Sequence, residues 1–163
     1  MADQPTSPAA SLPLAVNWQY VRDLSFESPR APQVFVQQGP APQVSIQVRV
    51  DARPVGENTF EVVLVVEAKA VAGEDPVFLV ELEYAGIFTA APMPADALTP
   101  LLMIEGPRLL FPFARELVAS TTRSAGFPPL LINPIDFADL YRQQLRQRPG
   151  GAEAQASAAP NTA

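Results

Sequence analysis

The hydrophobic period of this chain changes once along its length. Up to about residue 88, apolar residues recur at every second position; from Pro107 onward they recur at helical spacing. Such a chain does not interleave strands and helices as a parallel sheet requires. A run of strands followed by a run of helices specifies an α+β fold, with an antiparallel sheet and helices gathered on one face.

Four segments carry the strand signal. In Trp18–Ser28, Leu24 and Phe26 alternate with Asp23, Ser25 and Glu27. Val44–Asp51 sets Val44, Ile46, Val48 and Val50 against Ser45, Gln47, Arg49 and Asp51. Thr59–Val71 is apolar on both faces at its centre, which predicts burial on both sides. Val77–Phe88 lines Phe78, Val80, Leu82 and Tyr84 along one face. Pro29, Pro32, Pro40 and Pro42 bracket a crossover, Ala31–Pro42, that cannot sit mid-sheet. Arg53–Asn58 and Ala72–Pro76 read as turns. The stripe at Phe78–Tyr84 and the doubly apolar third strand also suggest burial against another subunit.

The helical half begins less clearly. Prolines at 92, 94 and 100 obscure the reading before Pro107, with Leu98–Ile104 a first helical piece. Beyond it Leu109, Leu110, Phe113, Ala114, Leu117 and Val118 form one face, and Pro112 predicts a kink or a break. Gly126 ends this helix. Asn133 and Pro134 read as N-cap and first turn of a second, Ile135–Gln147. Whether its Phe137, Leu140, Tyr141 and Leu145 belong to the core or to a movable lid over a groove stays open on pattern alone. The expected organisation is a disordered tail at 1–13, one domain at 14–148 and a disordered tail at 149–163, both tails being rich in Pro and Ala.

Composition narrows the chemistry. The 163 residues include no Cys and no His, which removes disulfides, thiolate zinc sites, cysteine nucleophiles and the commonest acid/base group. No metal-ligand cluster, phosphate loop or nucleophile elbow is present, so no cofactor and no metal is expected. A net charge of −6 disfavours nucleic acid. No Lys or Arg precedes Arg22, and no apolar run reaches the roughly 18 residues of a membrane span, so a soluble cytoplasmic protein without membrane insertion is expected. Acidic residues concentrate in 51–105, where the balance is −8, while 106–148 carries +3. The acidic half is either a set of solvated strand faces or a docking surface for a basic partner.

Glu81 and Glu83 lie two apart on one strand face, about 6.5–7 Å between Cα atoms. That spacing resembles the paired acids of inverting glycosidases, but nothing suggests the desolvated pocket that would separate their pKa values. Asp23 and Glu27, four apart on one face, likewise read as exposed acids.

Four segments together carry a resemblance. They are YVRDLSFESPRAP at Tyr20–Pro32, GIFT at Gly86–Thr89, PRLLFPFAR at Pro107–Arg115, and GFPPLLINPIDFADLY at Gly126–Tyr141. In order and spacing they resemble the SecB family over about residues 18–145. The resemblance implies a four-stranded antiparallel Greek-key sheet with two helices packed on one face. It further implies a homotetramer arranged as a dimer of dimers. The implied function is that of an ATP-independent chaperone, not an enzyme, which holds precursor proteins unfolded and delivers them to the SecA motor of the export pathway. Asp23, Glu27, Leu79 and Glu81 would then dock SecA on the flat sheet surface. Val44, Ile46 and Val48, with Leu140, Tyr141 and Leu145, would line the client groove. Val80, Leu82 and Tyr84 would lie on the opposite face from the docking surface, at or near the subunit interface.

Two departures qualify the match. Relatives often carry a Trp in the crossover, whereas FVQQGPAP at Phe35–Pro42 has Phe35 as its only aromatic, which implies a weaker aromatic client subsite. Some relatives end in an acidic tail that contacts SecA, whereas GGAEAQASAAPNTA holds one acid, Glu153. Competing readings are a SecB-like chaperone dedicated to one antitoxin, and a catalytic or ligand-binding domain using Glu81 and Glu83 in a closed pocket.

Overall fold

The structure, a computed structural model, describes residues 12–148. The expected tails fall outside that range except for Leu12 and Pro13. The elements run β1 (Leu14–Glu27), α1 (Gln33–Val36), β2 (Gln43–Gly56), β3 (Thr59–Ala72), β4 (Asp75–Ala90), α2 (Ala95–Ser124) and α3 (Phe137–Gln147). All strand pairs are antiparallel, in the order β1-β4-β3-β2. β2, β3 and β4 are joined by hairpins, and β1 returns beside β4 through the crossover, which is a Greek key.

The strands are longer than the alternation shows. β2 continues through Arg53, Pro54 and Gly56, so the expected turn at Arg53–Asn58 shrinks to Glu57 and Asn58. Pro54 is tolerated because β2 is an edge strand and its missing N–H leaves no ladder bond unmade. Asn58 adopts the left-handed conformation the tight turn requires, at φ 51°. β1 gains a turn's length at its start and contains two bulges, between Val16 and Trp18 and between Val21 and Asp23. Each bulge shifts the alternation by one. Val16, Val21, Leu24 and Phe26 consequently share the helix-covered side with their partners Phe88, Tyr84, Leu82 and Val80.

α2 is one continuous helix of 30 residues, neither starting at Pro107 nor broken at Pro112. Pro100, Pro107 and Pro112 each delete one helical N–H bond. Its face Leu102, Met103, Leu110, Ala114 and Val118 is buried on the sheet, and that burial outweighs the missing bonds. Contact is close where side chains are absent. A Cβ on Gly106 would come within 3.1 Å of Val62, and one on Gly86 within 2.9 Å of Leu110. Beneath α2, the core is built from Val50, Val62, Leu64, Val66, Val80, Leu82 and Phe88. Among the described residues no helix covers the other sheet face, yet β3's Val63 is 4% exposed there, so the double burial expected of this strand holds at its centre.

Gly126 follows α2 at φ +91°, the helix-ending role expected of it. The following segment, residues 127–136, has no regular secondary structure and is strapped back to α2: buried Thr122 accepts a hydrogen bond from Leu130 N–H at 2.9 Å. α3 begins at Phe137, later than expected. Its cap is Asp136, whose carboxylate accepts from Asp139 N–H, rather than Asn133. α3 packs on α2 and against the core and reaches the β2 edge through Gln144, so both helices cover the sheet as expected.

Candidate functional site

Two surfaces stand apart from the core. The first is the uncovered sheet face at β1 and β4. Cross-strand register sets Glu27 opposite Leu79, Ser25 opposite Glu81 and Asp23 opposite Glu83. Asp23, Glu27, Leu79 and Glu81 are therefore neighbours on one flat face of two adjacent strands. Asp23, Glu27 and Glu81 are exposed and Leu79 is half-buried among them. No ion pair among the described residues involves Asp23, Glu27 or Glu81. Glu81 also lies directly opposite Glu67 of β3, a like-charge cross-strand pair that costs stability in an isolated sheet.

The acids nearby are neutralised. Arg22, at the second β1 bulge, reaches Glu83 at 3.3 Å and Glu61 at 3.7 Å. Glu61 is 3% exposed and accepts hydrogen bonds from the Tyr20 hydroxyl and the Arg53 guanidinium. Burial pushes its pKa up, but those two bonds and the charges of Arg53 and Arg22 outweigh it and hold Glu61 below the usual carboxylate value. Glu83, paired with Arg22, and Glu81, exposed, sit on the open face rather than in an enclosed cleft. The sheet geometry offers no desolvated site between them for acid–base work.

The second surface is a groove of about 750 Å³ between the β2 edge and α3. Ile46, Val48 and Leu140 line it, joined by Val65, Ile135 and the amides of Gln143 and Gln144. Of the expected groove residues, Val44, Tyr141 and Leu145 are not part of this lining. Val44 is 43% exposed farther along β2, Tyr141 packs against the core, and Leu145 is exposed. Phe137 settles the lid-or-core alternative for its own position: it is buried against Phe111, ring centroids 5.9 Å apart.

Past Val44 lies a further groove, about 490 Å³, under the crossover. Its aromatic wall is not limited to Phe35. Phe127, from the segment after α2, packs at a tilt against both Phe35 and Phe78, ring centroids 5.1 Å apart in each case, and Phe26 joins at 6.2 Å. Sequence reasoning missed this cluster because its four rings come from four separate segments. Phe35 is the crossover's own ring, as expected, and Phe127 adds a second to the groove from outside the loop.

Val80 and Leu82 lie beneath α2 rather than at the surface. Both have 0% exposure within the single chain, covered by its own α2, so neither side chain is left for a partner. Alternation identified their face but not what covers it. Tyr84 is 8% exposed and stacks on Phe113 of α2. Exposed apolar side chains lie instead at Val16, Trp18, Val21 and Leu24 of β1 and at Leu109 and Phe113 of α2. Among the described residues no helix is long and apolar enough to cross a membrane, and no cluster of potential metal ligands occurs.

Comparison with known proteins agrees with this geometry. The profile of the family described as preprotein translocase subunit SecB matches residues 7–148. The chain is 50% identical over 153 residues to the protein-export protein SecB of Afipia carboxidovorans, covering 94% of this chain and 93% of that protein. It is 46% identical over 151 residues to the protein-export protein SecB of a Bradyrhizobium species, covering 91% and 93%. Among solved structures, it resembles the Mycobacterium tuberculosis Rv1957 SecB-like chaperone in complex with a ChAD peptide from the HigA1 antitoxin. That match has TM-score 0.63 at 16% identity and covers 75% of this chain and 90% of that one.

Proposed function

This chain belongs to the SecB family of protein-export chaperones, and we propose that it binds unfolded precursor proteins in the cytoplasm and delivers them to SecA. The observation that carries the reading is a groove along an open sheet edge in which apolar Ile46, Val48, Val65, Ile135 and Leu140 are interspersed with polar side chains. Such a groove offers pockets for alternate side chains and unpaired backbone groups between them. It selects extended chain over any one sequence, which suits a holdase for many clients. Binding only the unfolded state opposes client folding by mass action, so no nucleotide and no catalytic step is needed.

Docking of SecA is assigned to Asp23, Glu27, Leu79 and Glu81. Its support is the unneutralised charge there. A surface that keeps Glu67 opposite Glu81 without a cation is tuned for a partner that brings one. The homotetramer, a dimer of dimers, belongs to the same proposal, with the exposed apolar residues of β1 and α2 as its support. The subunit contact is assigned to the surface around Tyr84, where Val21 and Phe113 flank it in a shallow hollow above buried Val80 and Leu82.

The test combines two measurements. Stoichiometric protein delays refolding of a slow-folding precursor. Glu81→Lys or Asp23→Lys weakens SecA binding while leaving that delay and the subunit assembly intact. Affinity for SecA that is unchanged at low salt, where screening is least, refutes the docking assignment. Absence of any delay refutes the chaperone reading. The dedicated-antitoxin alternative predicts delay for one client only. The export reading is favoured over it because identity to the export proteins is three times that to the antitoxin-bound chaperone.

A further inference from the structure

The β2 edge has a directional property fixed by its register. Val50 pairs with Leu64, yet its N–H and C=O are both bonded elsewhere. Gln144 Oε1 accepts from Val50 N–H at 3.2 Å, and Gln144 Nε2 donates to Val50 C=O at 3.1 Å. Val50 thus turns both backbone groups away from β3 toward the open edge. In an antiparallel ladder this recurs at every second residue. The backbone groups of Val44, Ile46 and Val48 point out in the same way, about 7 Å apart. Among the described residues none of these three has a side chain bonded to it as Gln144 is to Val50.

A carboxamide that accepts from one residue's N–H and donates to its C=O reproduces what one residue of an added antiparallel strand would offer. We propose that Gln144 is a stand-in for one residue of a client strand: it clasps α3 to the β2 edge and must be displaced before an extended polypeptide can pair at Val50. The occupant is the backbone of an unfolded chain, because only a backbone carries the donor and acceptor in this arrangement at a two-residue repeat. The inference rests on the reading of the α3–β2 groove as a client site, and it adds a residue that limits how far along the edge pairing extends. With Gln144 in place, addition stops after Val48. With Gln144 released, the N–H and C=O of Val50 become available and the ladder continues by one more pair.

The experiment uses the full chain, amide hydrogen exchange resolved by residue, and a permanently unfolded probe made by reducing and carboxymethylating a disulfide protein. Gln144→Met keeps the length and packing of the side chain and removes both polar atoms; Gln144→Ala is the second variant. Both should speed exchange at Val50 by about five- to tenfold, the worth of one net hydrogen bond, and leave Ile46 and Val48 unchanged. Both should also raise the association rate of the probe several-fold, since no clasp remains to be displaced. Unchanged Val50 exchange, or association that is unchanged or slower, overturns the proposal and leaves Gln144 a tether of α3. If the probe protects Ile46 and Val48, the groove reading stands whatever Gln144 does. A probe that protects no β2 amide in either protein ends the groove reading and the clasp with it.

Discussion

Glu61 shows what a single residue contributes that no pattern reveals. In the sequence it is one more acid on a strand, alternating like Glu81. In the fold it is buried and held by Tyr20, Arg53 and Arg22 from two other strands. Its pKa is depressed, so between its folded value and the unfolded value near 4.3 the unfolded chain binds the extra proton. Stability therefore rises with pH through that window, is fully present above about pH 4.3, and is lost as acid titrates Glu61 in the folded state. Denaturant midpoints measured from pH 7 downward should fall on acidification in the native chain and less steeply in Glu61→Gln. Tyr20→Phe should cost about 1.5–3 kcal/mol at pH 7, as for a hydrogen bond to a charged group. The shared face of Asp23, Glu27 and Glu81 was legible because alternation decides it, whereas the docking role proposed for them came from the resemblance alone. Gln144 was not legible, because its role depends on α3 meeting β2 across 94 residues of chain.

At the scale of elements, the strands were read correctly in number, order and face, and incorrectly at their ends. Edge position lets β2 run through Pro54, and bulges let β1 lengthen without losing its faces; neither is visible in a one-dimensional pattern. α2 was underestimated for a related reason. Three prolines argue locally against a helix of 30 residues, and the argument fails because the sheet beneath supplies a long apolar bed. The close fit of α2 to β4 is testable at Gly86. Its Cβ would meet Phe88 at 2.7 Å and Leu110 at 2.9 Å, so Gly86→Ala should cost about 1–3 kcal/mol by overpacking. The expected signature is a lower denaturant midpoint with an unchanged m-value. Asp136→Ala removes the α3 cap and should loosen that helix by about 1 kcal/mol, seen as faster amide exchange in α3 with α2 unaffected.

For the whole molecule, the exposed apolar residues of β1 and α2 suit burial by further copies of the chain. Light scattering should give a mass near four chains, and Phe113→Glu should reduce it while client binding by isolated subunits weakens without vanishing. A stable monomer in the native protein would end the tetramer assignment. The strand order β1-β4-β3-β2 carries one more consequence. It separates the exposed acids on β1 and β4 from the β2 edge bonded by Gln144 by two to three strand spacings, or about 10–14 Å. Beyond about 7–10 Å, perturbations without shared partners act independently. A double-mutant cycle between Asp23→Lys and Gln144→Met should therefore return a coupling energy near zero. On the sites proposed above, the Greek key keeps client capture and SecA docking on strands that share no partners, so within one subunit each should be adjustable without disturbing the other.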